Sequence, residues 1–373
     1  MMRLFGPWLH ADDPLGTLMI NDNLQRLRSA AGDAQFFPEL IRRQLLDNPH
    51  RVTLLLRPDP EHAQREELAF AERLDGIRQR LDAAAIDEIK TKAADLQKSQ
   101  EALDDTSCLP ILELSDIEVD EPTTPFVTEK IAGGKTFWFS QPTNGITYLN
   151  LQFKTAGLDQ TLRPYLPVFG ALLPQIGAAG HDYLAMSRRI TAATGGIRFG
   201  TNLLESPVDL DTMHPVLELK GKALDRNQEK LCGIIADMLA APDFSDHARL
   251  RTVIGQVRTS MENSIPGAGH SFAARAAAAS LTPTAAQREE WSGMSQIQTI
   301  RAASNLDDTG LAALAEAFAA ISAEIFSRAR LTVAVTTEES ARTSMHAPLT
   351  GLLATLPDGA AIDNDRHPTF ARR

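Results

Sequence analysis

The sequence is 373 residues long, 43% hydrophobic and 23% charged, so it can bury a sizeable core and is longer than most single domains. Its net charge of −11 is spread along the chain with no run of basic residues fit to neutralise phosphates, which argues against a nucleic-acid partner. Cys108 and Cys232 stand far apart and outside any C-x-x-C pair, and no signal-peptide pattern or 18-residue apolar run occurs. Neither a disulfide framework nor a thiolate zinc site is supported, and a soluble, intracellular protein with no membrane partner is expected.

In chain order, residues 23–31 and 36–46 have helical composition. "NPHRVTLLLRPDP" (48–60) then supplies a helix stop at Asn48-Pro49, an apolar core in Val52, Leu54, Leu55 and Leu56, and a stop at Pro58 and Pro60. The pattern predicts a strand at 52–56, yet nothing before it looks like a partner strand, as if it belonged to the tail of a domain whose sheet lies elsewhere. From Glu61 to Leu103 charge is dense and apolar residues recur on a helical period, through Phe70, Leu74, Ile77 and Leu81, then Ile86, Ile89, Ala93 and Leu96. Two helices or one long one satisfy that spacing, and the charges read as a solvated face.

"DDTSCLPILELSDIEVDEPTTPF" (104–126) is a Pro-rich acidic connector. Beyond it, 146–154 alternates Leu149, Leu151 and Phe153 with Tyr148, Asn150, Gln152 and Lys154, and 216–223 and 331–336 alternate in the same way. Half-buried strands imply a mainly antiparallel sheet with helices on one face. Helices are predicted over 226–240, 246–263, 271–280, 308–326 and 338–355, giving an α+β domain.

Motifs for chemistry are missing. The nine histidines include no two within five residues, so neither H-E-x-x-H nor H-x-x-E-H occurs, and G-x-S-x-G is absent as well. His181-Asp182 and Ser245-Asp246-His247 fit helix N-caps. The G-x-G of "IPGAGHSF" (265–272) follows a helix rather than a strand and reads as a turn between helices. Glu289-Glu290 and Asp307-Asp308 fall where helix ends use them.

Four stretches, in order and spread along nearly the whole chain, resemble the C-terminal portion of the presequence-protease branch of the pitrilysin, or insulinase-like, zinc metallopeptidases. They are "FFPELIRRQLLDNPHRVTLLLRPDP" (36–60), "DDTSCLPILELSDI" (104–117), "QPTNGITYLNLQFKTAGLDQTLRPYLPVFGALLPQIGAAGHDYLAMSRRITAATGGI" (141–197) and "VLELKGKALDRNQEKLCGIIADMLAAPDF" (216–244). The resemblance implies two similar halves joined by a helical hairpin and closed around a chamber for unfolded peptides. It assigns 1–58 to the tail of a preceding α+β domain, 59–103 to the hairpin, and 104–373 to the connector plus a peptidase-like non-catalytic α+β domain. Where the family's catalytic half carries H-x-x-E-H, this sequence reads "VFGAL", with Val168, Ala171 and Leu172 at the places of the metal ligands and general base; "QIGAAG" follows as the turn and "TGGI" (194–197) as the Gly-Gly. These are degenerate zinc-motif positions, so no catalytic or metal-binding residue is assigned and substrate contacts stay unknown.

The expected protein is therefore a non-catalytic segment of a zinc metalloendopeptidase, inactive alone, that forms chamber wall and hinge. Its expected partners are the N-terminal catalytic half, which would hold the zinc, and unfolded peptide substrates. The alternative is a stand-alone binding or assembly protein on the same fold.

Overall fold

A computed structural model describes residues 2–10, 15–102, 106–117, 123–206, 208–209 and 211–359. The chain divides into two units, 1–116 and 117–373. Part of the acidic connector, residues 104–105 and 118–122, lies outside the described residues.

In the first unit α1 (Met2–His10), α2 (Ile20–Ala30) and α3 (Phe36–Ile41) are followed by α4 (His62–Arg78) and α5 (Ala83–Glu101), with one π-helical turn at Arg42–Leu46. The long charged stretch is thus two helices, and the Asp82 side chain starts the second by accepting from the Ala85 amide at 2.8 Å. The apolar stripes face outward: Phe70, Leu74, Ile77, Ile86, Ile89 and Leu96 are all exposed. None of the described residues of this unit is buried. The strand predicted at 52–56 does not form. Residues 51–59 have no regular structure, and Val52 and Leu56 are 91% and 83% exposed. A strand's backbone donors and acceptors need a neighbour, and among the described residues of this unit no strand exists to supply one.

The second unit is built on a sheet of six strands: β1 (Val127–Ile131), β2 (Gly134–Ser140), β3 (Ile146–Lys154), β5 (Ile197–Glu205), β6 (Met213–Leu224) and β8 (Leu331–Thr337), in the order β1-β2-β8-β3-β6-β5. A separate two-residue ladder pairs β4 (Gly177–Ala178) with β7 (Pro242–Asp243). Only β2 and β8 run parallel; every other neighbour is antiparallel. β1 turns into β2 through Ala132 and Gly133, both at positive φ, the two-residue loop that matches the twist of a hairpin.

Burial follows the alternation read in the sequence. Along β3 the side chains of Thr147, Leu149, Leu151 and Phe153 are buried and those between them are not. The buried rows meet α6 (Leu166–Leu172), α7 (Tyr183–Ala193), α8 (Gln228–Ala240), α9 (His247–Ala278), α12 (Asp308–Ile325) and α13 (Glu339–Ala354), while α10 (Pro283–Ser292) and α11 (Met294–Ser304) pack on α9. Helices cover one face and leave the other open.

The helices predicted at 246–263 and 271–280 are one helix, kinked at Ala268 (φ −128°) two residues after Pro266. Proline removes an amide donor and crowds the preceding turn, and here it bends the helix without ending it. The G-x-G of 267–269 therefore lies inside a bent helix, and no loop is formed for it to shape. Gln228 locks α8 to the sheet. Its Nε2 donates to the Thr147 hydroxyl at 2.7 Å and to the Ala341 carbonyl at 3.2 Å, and its Oε1 accepts from the Ser344 hydroxyl at 2.8 Å.

Candidate functional site

Helix α6 holds the three positions that the family resemblance singles out. Leu166-Pro167 opens the helix with proline in its first turn, where a missing amide costs nothing. Val168 and Leu172 are 0% exposed and Ala171 is half-buried. Between them Phe169 enters a cluster of rings, with centroids 6.0 Å from Phe244, 6.1 Å from Phe318 and 5.8 Å from Phe326. Gly170 lets the helix approach the sheet: a β-carbon there would sit 3.4 Å from Leu217 and 3.5 Å from Phe199. Side chains made only of carbon and hydrogen cannot ligate a cation, so Val168, Ala171 and Leu172 do not fit a zinc ion. No group of three or more His, Cys, Asp or Glu able to hold a metal occurs among the described residues.

The turn after α6 is tight. Ala178 and His181 exchange backbone hydrogen bonds across Ala179 and Gly180, both at positive φ. A β-carbon on Gly177 would stand 2.6 Å from the His181 carbonyl oxygen, so only glycine fits without movement. His181 itself is exposed, and Asp182 caps α7 by accepting from the Ala185 amide at 2.7 Å. Asp246 caps α9 through the Arg249 amide at 2.9 Å, and Asp307 caps α12 through the Gly310 amide at 2.8 Å. Glu289 accepts from the Ser295 amide at 3.1 Å in the first turn of α11. These pairs do the capping and helix-end work read from the sequence. His270 is exposed on the kinked helix α9. At Gly195-Gly196 the chain enters β5: the Gly195 amide donates to the Lys222 carbonyl at 2.7 Å, and Gly196 has φ +111°.

Register gathers a second group that no contiguous motif announces. Tyr148 lies opposite Lys222, Asn150 opposite Lys220, and Arg198 opposite Lys220 on its other side. With Thr336 they line a hollow of about 680 Å³ on the open face of the sheet. Glu218 is tied down beside it by Lys220 at 2.7 Å, Asn150 Nδ2 at 2.9 Å and Gln152 Nε2 at 3.2 Å. Burial acts to raise the Glu218 pKa, but these donors outweigh it and hold the carboxyl below its usual range. The sequence shows no basic run, yet the fold assembles basic side chains from separate strands.

A mainly antiparallel sheet with helices on one face, following a helix pair, defines a mixed α+β segment rather than a complete enzyme site. The chain belongs to the family of segments associated with subfamily C of the M16 peptidases, whose model matches residues 56–302. It is 29% identical over 304 residues to the mitochondrial presequence protease of Xenopus laevis and 30% identical over 302 residues to that of Danio rerio. Each match covers 81% of this chain but only 30% of the relative, so the chain corresponds to under a third of their length. Among solved structures, a peptidase M16 inactive domain from Pseudomonas fluorescens aligns with TM-score 0.44 and 17% identity, over 64% of this chain and 52% of that one. No helix among the described residues is long and apolar enough to cross a membrane.

Proposed function

We propose that this chain is a non-catalytic segment of a zinc metalloendopeptidase that degrades unstructured peptides, serving as chamber wall and hinge. The observation that carries the reading is helix α6, whose Val168 and Leu172 are wholly buried where the resemblance places metal ligands. A helix that spends its inward face on core contacts offers nothing to polarise a carbonyl or activate water. Zinc chemistry would then come from a partner half bearing H-x-x-E-H, a motif these 373 residues do not contain. Partnering is supported by the first unit, where Val52, Leu54, Leu55 and Leu56 lie exposed in a segment with strand composition and no strand neighbour. Such a segment can add to the sheet of another chain through its free backbone groups. α4 and α5, with their exposed apolar stripes, are assigned to the hinge.

Mixing the purified chain with a separately expressed H-x-x-E-H half of a presequence protease, and following cleavage of a quenched fluorescent peptide, tests this. The expected result is no turnover by this chain and a rise of at least about tenfold over either component when the two are combined. Unchanged turnover would sink the reading and favour a stand-alone binding or assembly protein.

A further inference from the structure

The open face of the sheet is charged against the sign of the chain. The 373 residues sum to −11, yet this face carries Lys130, Lys135, Lys154, Arg198, Lys220 and Lys222 against one carboxylate, Glu218. Two like-charged pairs stand directly opposite each other across strands, Lys130 with Lys135 and Arg198 with Lys220. Such pairs destabilise a sheet, so the face holds positive potential that an anionic partner would relieve. Glu218 is occupied by Lys220, Asn150 and Gln152. Arg198 and Lys222 pair with no carboxylate among the described residues, and both are exposed.

At the other end of the same face the character changes. Phe126 packs on Phe137 and Phe139 with centroids 5.4 Å and 5.7 Å apart, and Lys135 lies 4.6 Å over the Phe137 ring. Between the aromatic and basic ends, β8 presents only Thr332, Ala334 and Thr336, short side chains that keep the middle low. From β2 to β6 is three strand steps, about 14 Å at ~4.8 Å per strand, the span of about four extended residues.

We propose that this open face binds an extended acidic polypeptide, seating its carboxylates on Arg198, Lys220 and Lys222 and an apolar side chain about four residues away on Phe126, Phe137 and Phe139. The proposal deepens the reading that unstructured peptides are the substrates, by giving them a sign of charge. The chemistry is charge pairing plus apolar contact, with no covalent step.

Binding to the full chain alone decides it, independently of whether a catalytic half restores cleavage. Three fluorescent probes are compared by anisotropy: an unstructured peptide with one phenylalanine followed by a Glu/Asp cluster, the same peptide with lysines in place of the acids, and single-stranded oligothymidylate. The acidic peptide is expected to bind at least about tenfold tighter than the basic one and to weaken as salt is raised. Arg198→Glu with Lys222→Glu should cost at least about tenfold and reverse the preference between peptides. Glu218→Gln should tighten the acidic peptide, a gain that a misfolded variant could not produce. Equal binding of the two peptides, no binding of the acidic one, indifference to the charge reversals, or tighter binding of the oligonucleotide would overturn the proposal.

Discussion

Leu172→Ala is expected to destabilise the second unit by about 2–5 kcal/mol, and Leu172→His by at least as much, even with zinc present. Leu172 has no exposed surface and sits within the main core cluster. An imidazole there leaves part of the cavity empty and buries ring nitrogens without built partners. It also introduces a pH dependence of defined sign. Burial disfavours the charged ring, so the folded-state pKa lies below the unfolded value of about 6.5. The unfolded chain then binds a proton that the folded chain refuses, and as pH falls below about 6.5 stability drops by up to about 1.4 kcal/mol per unit. Urea unfolding at about pH 8 and about pH 5.5, on either side of the imidazole range, reads both effects. A histidine variant as stable as the parent, or one restored by zinc, would show that this turn of α6 can serve as a metal helix.

The second large effect is expected at Phe169, whose ring touches those of Phe244, Phe318 and Phe326 and so joins α6, α12 and the loops that flank β7 and β8. Phe169→Ala should cost about 3–5 kcal/mol, the range for an aromatic truncated in a closed core. Leu184→Ala on the exposed side of α7, at 49% exposure, should stay within about 0.5 kcal/mol. Comparing the two unfolding midpoints checks the layer assignment. Equal losses would mean that α6 is no more central than a surface helix.

Where side chains alternate or recur on one face, the fold is legible in the sequence. The alternation gives β3 its observed limits, and α12, α13 and the buried rows of β6 and β8 fall where the apolar period places them. The β1–β2 hairpin does not emerge from that reading, although Ala132 and Gly133 form a turn that glycine composition signals. β5 escapes it because Gly200 interrupts the pattern and the strand's burial is mixed. Pro266 misleads, since proline bends a long helix that tertiary contacts hold on both sides. The apolar run at 52–56 has strand composition, but composition cannot make a ladder without a neighbour.

The degenerate positions Val168, Ala171 and Leu172 can be named from the resemblance, and their burial then follows from helix periodicity. The basic face cannot be named. Tyr148, Lys220 and Lys222 are visible as the outward side of two alternating strands, while Arg198 lies in a strand whose pattern is broken. Register decides which outward residues become neighbours, and register is fixed by pairings between segments tens of residues apart. A count of charges along the chain therefore overlooks a cluster that exists only across strands.

The account rests on α6 being part of the core, without a role in metal binding. The most direct measurement is the metal content of the purified chain after dialysis against zinc and removal of loose ions. The account expects fewer than about 0.1 zinc ions per chain, because carbon side chains supply no donor. Zinc retained at about one per chain, and lost on unfolding, would contradict it.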